Sequence, residues 1–118
     1  MSESDRQPPT PAVAQAERRL YPRSSVRVPL ELRLEGSAAP LRLETTELSR
    51  NGCSVAMAAP LSVSIRVQVT LALGQQPVLV RGRVVTRHPE FGNGIMFLDF
   101  AEDGEQRLRA FLEAIGSE

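Results

Sequence analysis

The chain has 118 residues and a mass of 12.9 kDa, 42% of its side chains hydrophobic and 24% charged, with 14 basic against 14 acidic groups. That is one domain's length, enough to bury roughly two-thirds of the unfolded surface without disulfides or a structural metal. The neutral balance argues against a coat for DNA or RNA, and the single cysteine, Cys53, excludes an internal disulfide framework or a cysteine-rich zinc site.

Residues 1–17 hold Pro8, Pro9 and Pro11 among Ser, Thr, Gln and Ala, with no apolar period to bury, and read as a disordered tail. From Val26 the pattern alternates: Val26, Val28, Leu30, Leu32 and Leu34 share one parity and Arg27, Pro29, Glu31 and Arg33 the other, as in a half-buried strand. Pro29 cannot donate to a ladder, so an unpaired edge is expected near it. After a turn over residues 36–40, Leu41 to Leu48 reads as a second strand with Leu41 and Leu43 inward. Asn51-Gly52 is turn chemistry that readily takes positive φ, and Cys53, Val55 and Met57 form the inward parity of a short third strand. Ile65, Val67, Val69, Leu71 and Leu73 mark the fourth.

Gly74 to Pro77 breaks the pattern, and Val78 to Arg87 resumes it as a fifth strand in which Gly82 predicts a bulge or a close backbone approach. Asn93-Gly94 predicts the turn into a sixth strand over 95–100. Leu108, Phe111, Leu112 and Ile115 then recur at helical spacing, Asp103 and Gln106 are placed like a capping box, and Gly116 stops the helix. Six short strands and a closing helix predict a mainly β protein, a small six-stranded antiparallel β-barrel over residues 18–116 whose C-terminal helix lies across an opening.

Every one of the 14 basic residues is arginine, whose planar fork grips phosphates and the O6/N7 edge of guanine bidentately. Arg18, Arg19 and Arg23 cluster around Tyr21-Pro22, where proline keeps the chain extended or turning. The stretch from Glu47 to Gly52 offers a carboxylate, the Ser49 hydroxyl and a glycine that lets the backbone bend closely.

Catalytic constellations are weak by comparison. His88 is the lone histidine and precedes Pro89 in a predicted solvent-facing loop; Ser49 has Glu47 where a G-x-S-x-G elbow requires glycine. Asp99, Glu102 and Asp103 are expected near the helix start, where carboxylates oppose the dipole. Cys53 reads as core. A single-strand nucleic-acid binder would need a stacking platform, yet only Tyr21 and four phenylalanines are present, and Phe97, Phe100 and Phe111 fall at core positions. No apolar stretch approaches the roughly 20 residues that cross a bilayer and no secretory signal is visible, so a cytoplasmic, non-enzymatic protein is expected.

The two arginine-bearing segments together resemble the PilZ family. Arg19 and Arg23 match its RxxxR motif, with Arg18 preceding them, and Ser49 and Gly52 match its [DN]xSxxG motif; Val80 to Val85, Gly94 to Phe97 and the final helix continue the likeness. The resemblance implies a barrel that receives the bacterial second messenger cyclic di-GMP, with Arg18, Arg19, Arg23, Glu47, Ser49 and Gly52 binding it, no metal or cofactor, and a signal passed to a protein partner, in motility or cell-surface regulation. Position 47 departs from the pattern, Glu standing where Asp or Asn is wanted. That favours the alternative of an adaptor that acts by protein contact without sensing the nucleotide. The partner's identity, the ligand stoichiometry and whether the chain dimerises are left open by the sequence.

Overall fold

The computed structural model describes residues 23–116. The tail expected over residues 1–17, and Arg18 and Arg19 after it, lie outside the described residues. Six strands form the body: β1 (Pro29–Leu34), β2 (Leu41–Ser49), β3 (Gly52–Ala56), β4 (Arg66–Leu71), β5 (Val78–His88) and β6 (Gly92–Phe100), followed by α1 (Gly104–Ala114). They pair antiparallel in the order β1-β2-β3-β6-β5-β4 and close back onto β1. Closure is what satisfies the backbone of every strand in so small a sheet.

Alternation set the inside. Leu30, Leu32, Val67, Val69, Leu71, Val78, Val80 and Val84 are buried from β1, β4 and β5, and Cys53, Val55, Ile95 and Phe97 join them from β3 and β6. On β2 the parity switches: the register shifts between Thr45 and Glu47, so that Thr45 and Leu48 are both fully buried although they are three residues apart. The bulge turns Glu47 outward. Leu41, expected inward, lies at the open end of its strand and is 37% exposed.

No unpaired edge exists at Pro29. The proline opens β1 opposite Glu44, where its missing N–H costs the ladder nothing, and its carbonyl accepts from Ala72 N at 2.9 Å. The β2–β3 turn, Arg50-Asn51, uses no positive φ at Asn51 or Gly52. Asn93-Gly94 is likewise not a turn but part of β6; the hairpin bends at Pro89-Glu90-Phe91, with Glu90 at φ 76° and His88 paired to Gly92. The reason lies in the Asn93 side chain, which is buried and ties down the crossing segment 57–65: it accepts from Leu61 N and donates to Leu61 O, both at 2.8 Å, and donates to Thr86 O at 3.1 Å. Gly82 meets both expectations, sitting at a register shift with Met96 O 2.7 Å from where a Cβ would stand.

Helix α1 packs at the barrel end where β4 finishes and β5 begins. Leu108 and Leu112 are buried in the core and Phe111 packs against it, while Ile115 is left 44% exposed. Asp103 occupies the N-cap without a side-chain cap bond; its carboxylate instead accepts from Arg107 Nε at 2.9 Å, and that guanidinium donates on to the Gln76 and Pro77 carbonyls. The expected capping box is therefore replaced by an i,i+4 ion pair that staples the helix to the β4–β5 hairpin. Gly116, at φ 83°, ends the helix as predicted.

Candidate functional site

The segment before β1 is anchored at two points. Ser24 forms an isolated bridge with Leu48, N–H to carbonyl in both directions at 2.8 and 2.9 Å. Two to four residues on, the buried Thr45 hydroxyl donates to Val26 O at 2.5 Å and accepts from Val28 N at 2.9 Å. A side chain from β2 thus satisfies two backbone groups of the lead-in segment, beside the backbone bond from Thr45 N to Val28 O at 3.0 Å. The anchoring delivers Arg23 to the outward side of β2.

There the Arg23 guanidinium donates to Glu47 Oε1 at 2.6 Å and reaches Ser54 Oγ at 3.5 Å. The two sequence motifs, 24 residues apart, meet across one surface. Both partners are more than one-third exposed, so the pair contributes little to stability, at most about 1 kcal/mol. Its significance is positional: it holds a guanidinium at the rim of a cleft of about 250 Å³ on the outer face of β2, β3, β6 and β5.

The cleft floor is made of small outward residues, Gly52 and Ser54 from β3 and Gly94 from β6, with Thr86, His88 and Met96 around them. At Gly52 a Cβ would stand 2.3 Å from Ile95 O, so the glycine serves the close approach of β3 to β6 rather than the turn conformation. Such a floor exposes backbone to a flat ligand, and one charged fork stands above it. His88 is not in a loop; it ends β5 and borders this cleft.

Ser49 is placed differently from the other motif residues. It is buried, its hydroxyl donating to Asn51 Oδ1 at 2.7 Å and accepting from Asn51 N at 3.3 Å. In this geometry it builds the β2–β3 turn instead of presenting its hydroxyl outward. Of the six expected site residues, Arg23, Glu47 and Gly52 come together at the cleft, Ser49 supports it from beneath, and Arg18 and Arg19 lie outside the described residues. Ser54, Thr86, Gly94 and Met96 were missed; outward parity on three strands that only the barrel brings side by side was their signal.

Burial pushes the Cys53 thiol up to about 12, against the pull of the nearby Arg23 charge. Under the cleft, Cys53 is a core residue without thiolate character. Asp99 pairs with Arg81 across β5 and β6 at 2.5 Å while bordering, with Glu102 and Glu105, a cavity beside the helix start, and Glu105 is the acid in the first turn of α1. No helix among the described residues is long and apolar enough to cross a membrane.

Comparison with known proteins agrees with this architecture. The barrel is similar to the PilZ domain of CeSA from a cellulose-synthesizing bacterium, with 20% identity, a TM-score of 0.55 and coverage of 79% of this chain and 93% of that one. It is also similar to the inhibitor of motility MotI/DgrA of Bacillus subtilis, with 19% identity and a TM-score of 0.58, covering 82% of this chain but only 48% of that protein. No curated protein matches the sequence closely. At these identities the likeness shows the fold. The model of the PilZ domain, however, matches residues 17–114, from the arginine-bearing lead-in to the end of α1, and the chain belongs to the PilZ domain family.

Proposed function

We propose that the protein is a cyclic di-GMP receptor whose arginine-bearing lead-in grips the dinucleotide over the β2–β3–β6–β5 cleft and passes the signal to a protein partner. PilZ domains are generally receptors for this messenger and are not enzymes. The observation that carries the reading is the position of Arg23, held by the Ser24–Leu48 bridge over a floor of small residues. A guanidinium so placed can take either a phosphate or a guanine edge in its fork. Arg19 and Arg18 supply further cations from the same segment, Gly52 and Gly94 let a base approach the backbone, and Ser49 fixes the turn that carries Gly52.

Isothermal titration calorimetry with cyclic di-GMP tests this. Wild type should bind, and Arg23→Ala should bind at least about tenfold more weakly, because charge-assisted hydrogen bonds contribute about 1.5–3 kcal/mol each. Equal affinity in the two proteins would remove Arg23 from the site.

The Arg23–Glu47 ion pair favours a second reading, an adaptor that no longer senses the nucleotide. Glu47 is one methylene longer than the family's Asp or Asn, and its carboxylate occupies the fork that a ligand would need. Titrating Glu47→Asp beside wild type separates the two: binding by the Asp variant alone supports the adaptor, and binding by both supports the receptor.

A further inference from the structure

A second concave surface lies on another face of the barrel. On the outside of β4, β5 and β6, two cavities of about 360 and 210 Å³ share Gln68, Arg81 and Asp99 and so form one continuous groove. Leu79, 49% exposed, stands at one end, Leu98, 48% exposed, at the other, and the half-buried Phe100 borders the groove between them. Both leucines keep about half of their apolar surface in water, area that a partner seated in the groove would bury.

The charges of this face are unbalanced. Register places Arg33 beside Gln68 and Arg81 beyond it, and puts Arg66 directly opposite Arg83. Arg81 is engaged with Asp99. Arg33, Arg66 and Arg83 make no ion pair with a described residue, and Glu35 is the other carboxylate bordering the groove. Like charges directly opposite on adjacent strands destabilise a sheet. An anionic counterpart relieves that repulsion, and the leucines ask the same counterpart for apolar side chains. The outward residues of the groove offer no free aromatic ring on which a base could stack, since Phe100 packs edge-on against Phe97.

We infer that this groove is a docking surface for an acidic protein segment carrying leucine-like side chains, with Leu79 and Leu98 taking the apolar groups and Arg66, Arg83 and Arg33 the carboxylates. The inference stands apart from nucleotide binding. Its groove is separate from the Arg23 cleft, although Arg83 pairs with Met96, which lines that cleft.

The test is fluorescence anisotropy with a short labelled peptide alternating Glu and Leu, beside one alternating Glu and Ser and one alternating Lys and Leu. Wild type should bind the Glu–Leu peptide at least about tenfold more tightly than either control, and Arg66→Glu and Leu79→Ser should each lose at least about tenfold. Arg23→Ala should leave binding unchanged. Equal binding of the Glu–Ser peptide would reveal a plain polyanion site, and equal binding of the Lys–Leu peptide an unspecific apolar one; either overturns the inference. So would indifference to both groove variants, or loss of binding in Arg23→Ala. Sedimentation showing a wild-type dimer that Arg66→Glu dissociates would make a second copy of this chain the occupant and would equally overturn it.

Discussion

Replacing Gly52 by alanine probes the packing on which the cleft floor depends. The added methyl carbon would stand 2.3 Å from the Ile95 carbonyl oxygen and 3.4 Å from Met96 Cα. Carbon and carbonyl oxygen ordinarily approach no closer than about 3.3 Å, so β3 and β6 must separate by about 1 Å where Gly52 pairs with Met96. Both sides of the clash are backbone, and no side-chain rotation relieves it. Overpacking of this kind costs about 1–3 kcal/mol. Weakening a neighbouring bond such as Phe97 N to Asn51 O, now 2.8 Å, adds about 1 kcal/mol more. The total, about 2–4 kcal/mol, corresponds to a fall in Tm of roughly 10–30 °C for a domain of this size. Thermal denaturation followed by circular dichroism measures it. Gly36→Ala is the control: Gly36 has φ +87° and nothing within 4 Å of a Cβ, so only the left-handed backbone penalty of about 1–2 kcal/mol applies. A Gly52→Ala melting point within about 4 °C of wild type would refute the assignment of Gly52 to close strand approach.

Two further outcomes follow from buried groups. Thr45→Val keeps the shape but strands Val26 O and Val28 N, and should destabilise by about 2–4 kcal/mol in urea denaturation; a loss below about 1 kcal/mol would mean that water replaces the hydroxyl. Cys53 sets an alkaline limit: the thiol ionises near its ordinary value of 9.0 when unfolded, while burial makes the folded one hold its proton to about 12. Below the first value its neutral form contributes fully. Between the two, stability falls with rising pH at up to about 1.4 kcal/mol per unit. Cys53→Ala should flatten that slope in denaturant titrations over the same interval, and an unchanged slope would assign the alkaline loss elsewhere.

Strand alternation made most of the barrel legible in the sequence, because a half-buried strand writes its inside at every second residue. The reading failed where the period itself changed. Leu48 has the wrong parity for a strand that begins with Leu41 and Leu43 inward, and that mismatch is the bulge between Thr45 and Glu47. Asn93-Gly94 carries the composition of a turn but not the role, since the buried Asn93 amide spends its hydrogen bonds on the crossing segment. At the site, residue types announced the arginine lead-in and the Glu47-to-Gly52 segment. What no linear pattern could announce was that the extra methylene of Glu47 reaches Arg23, or that Ser49 turns its hydroxyl into the turn. Those depend on distances between strands remote in the chain.

Among the described residues the ring of strands closes on itself, β4 pairing with β1 from Leu71 opposite Leu30 to Val67 opposite Leu34. A visiting polypeptide therefore finds no row of open amides to extend and must be recognised through projecting side chains alone. Because inward and outward residues alternate, those projecting positions can change without disturbing the interior. One set of six strands can in this way carry a cleft on one flank and a groove on another, each free to acquire its own specificity.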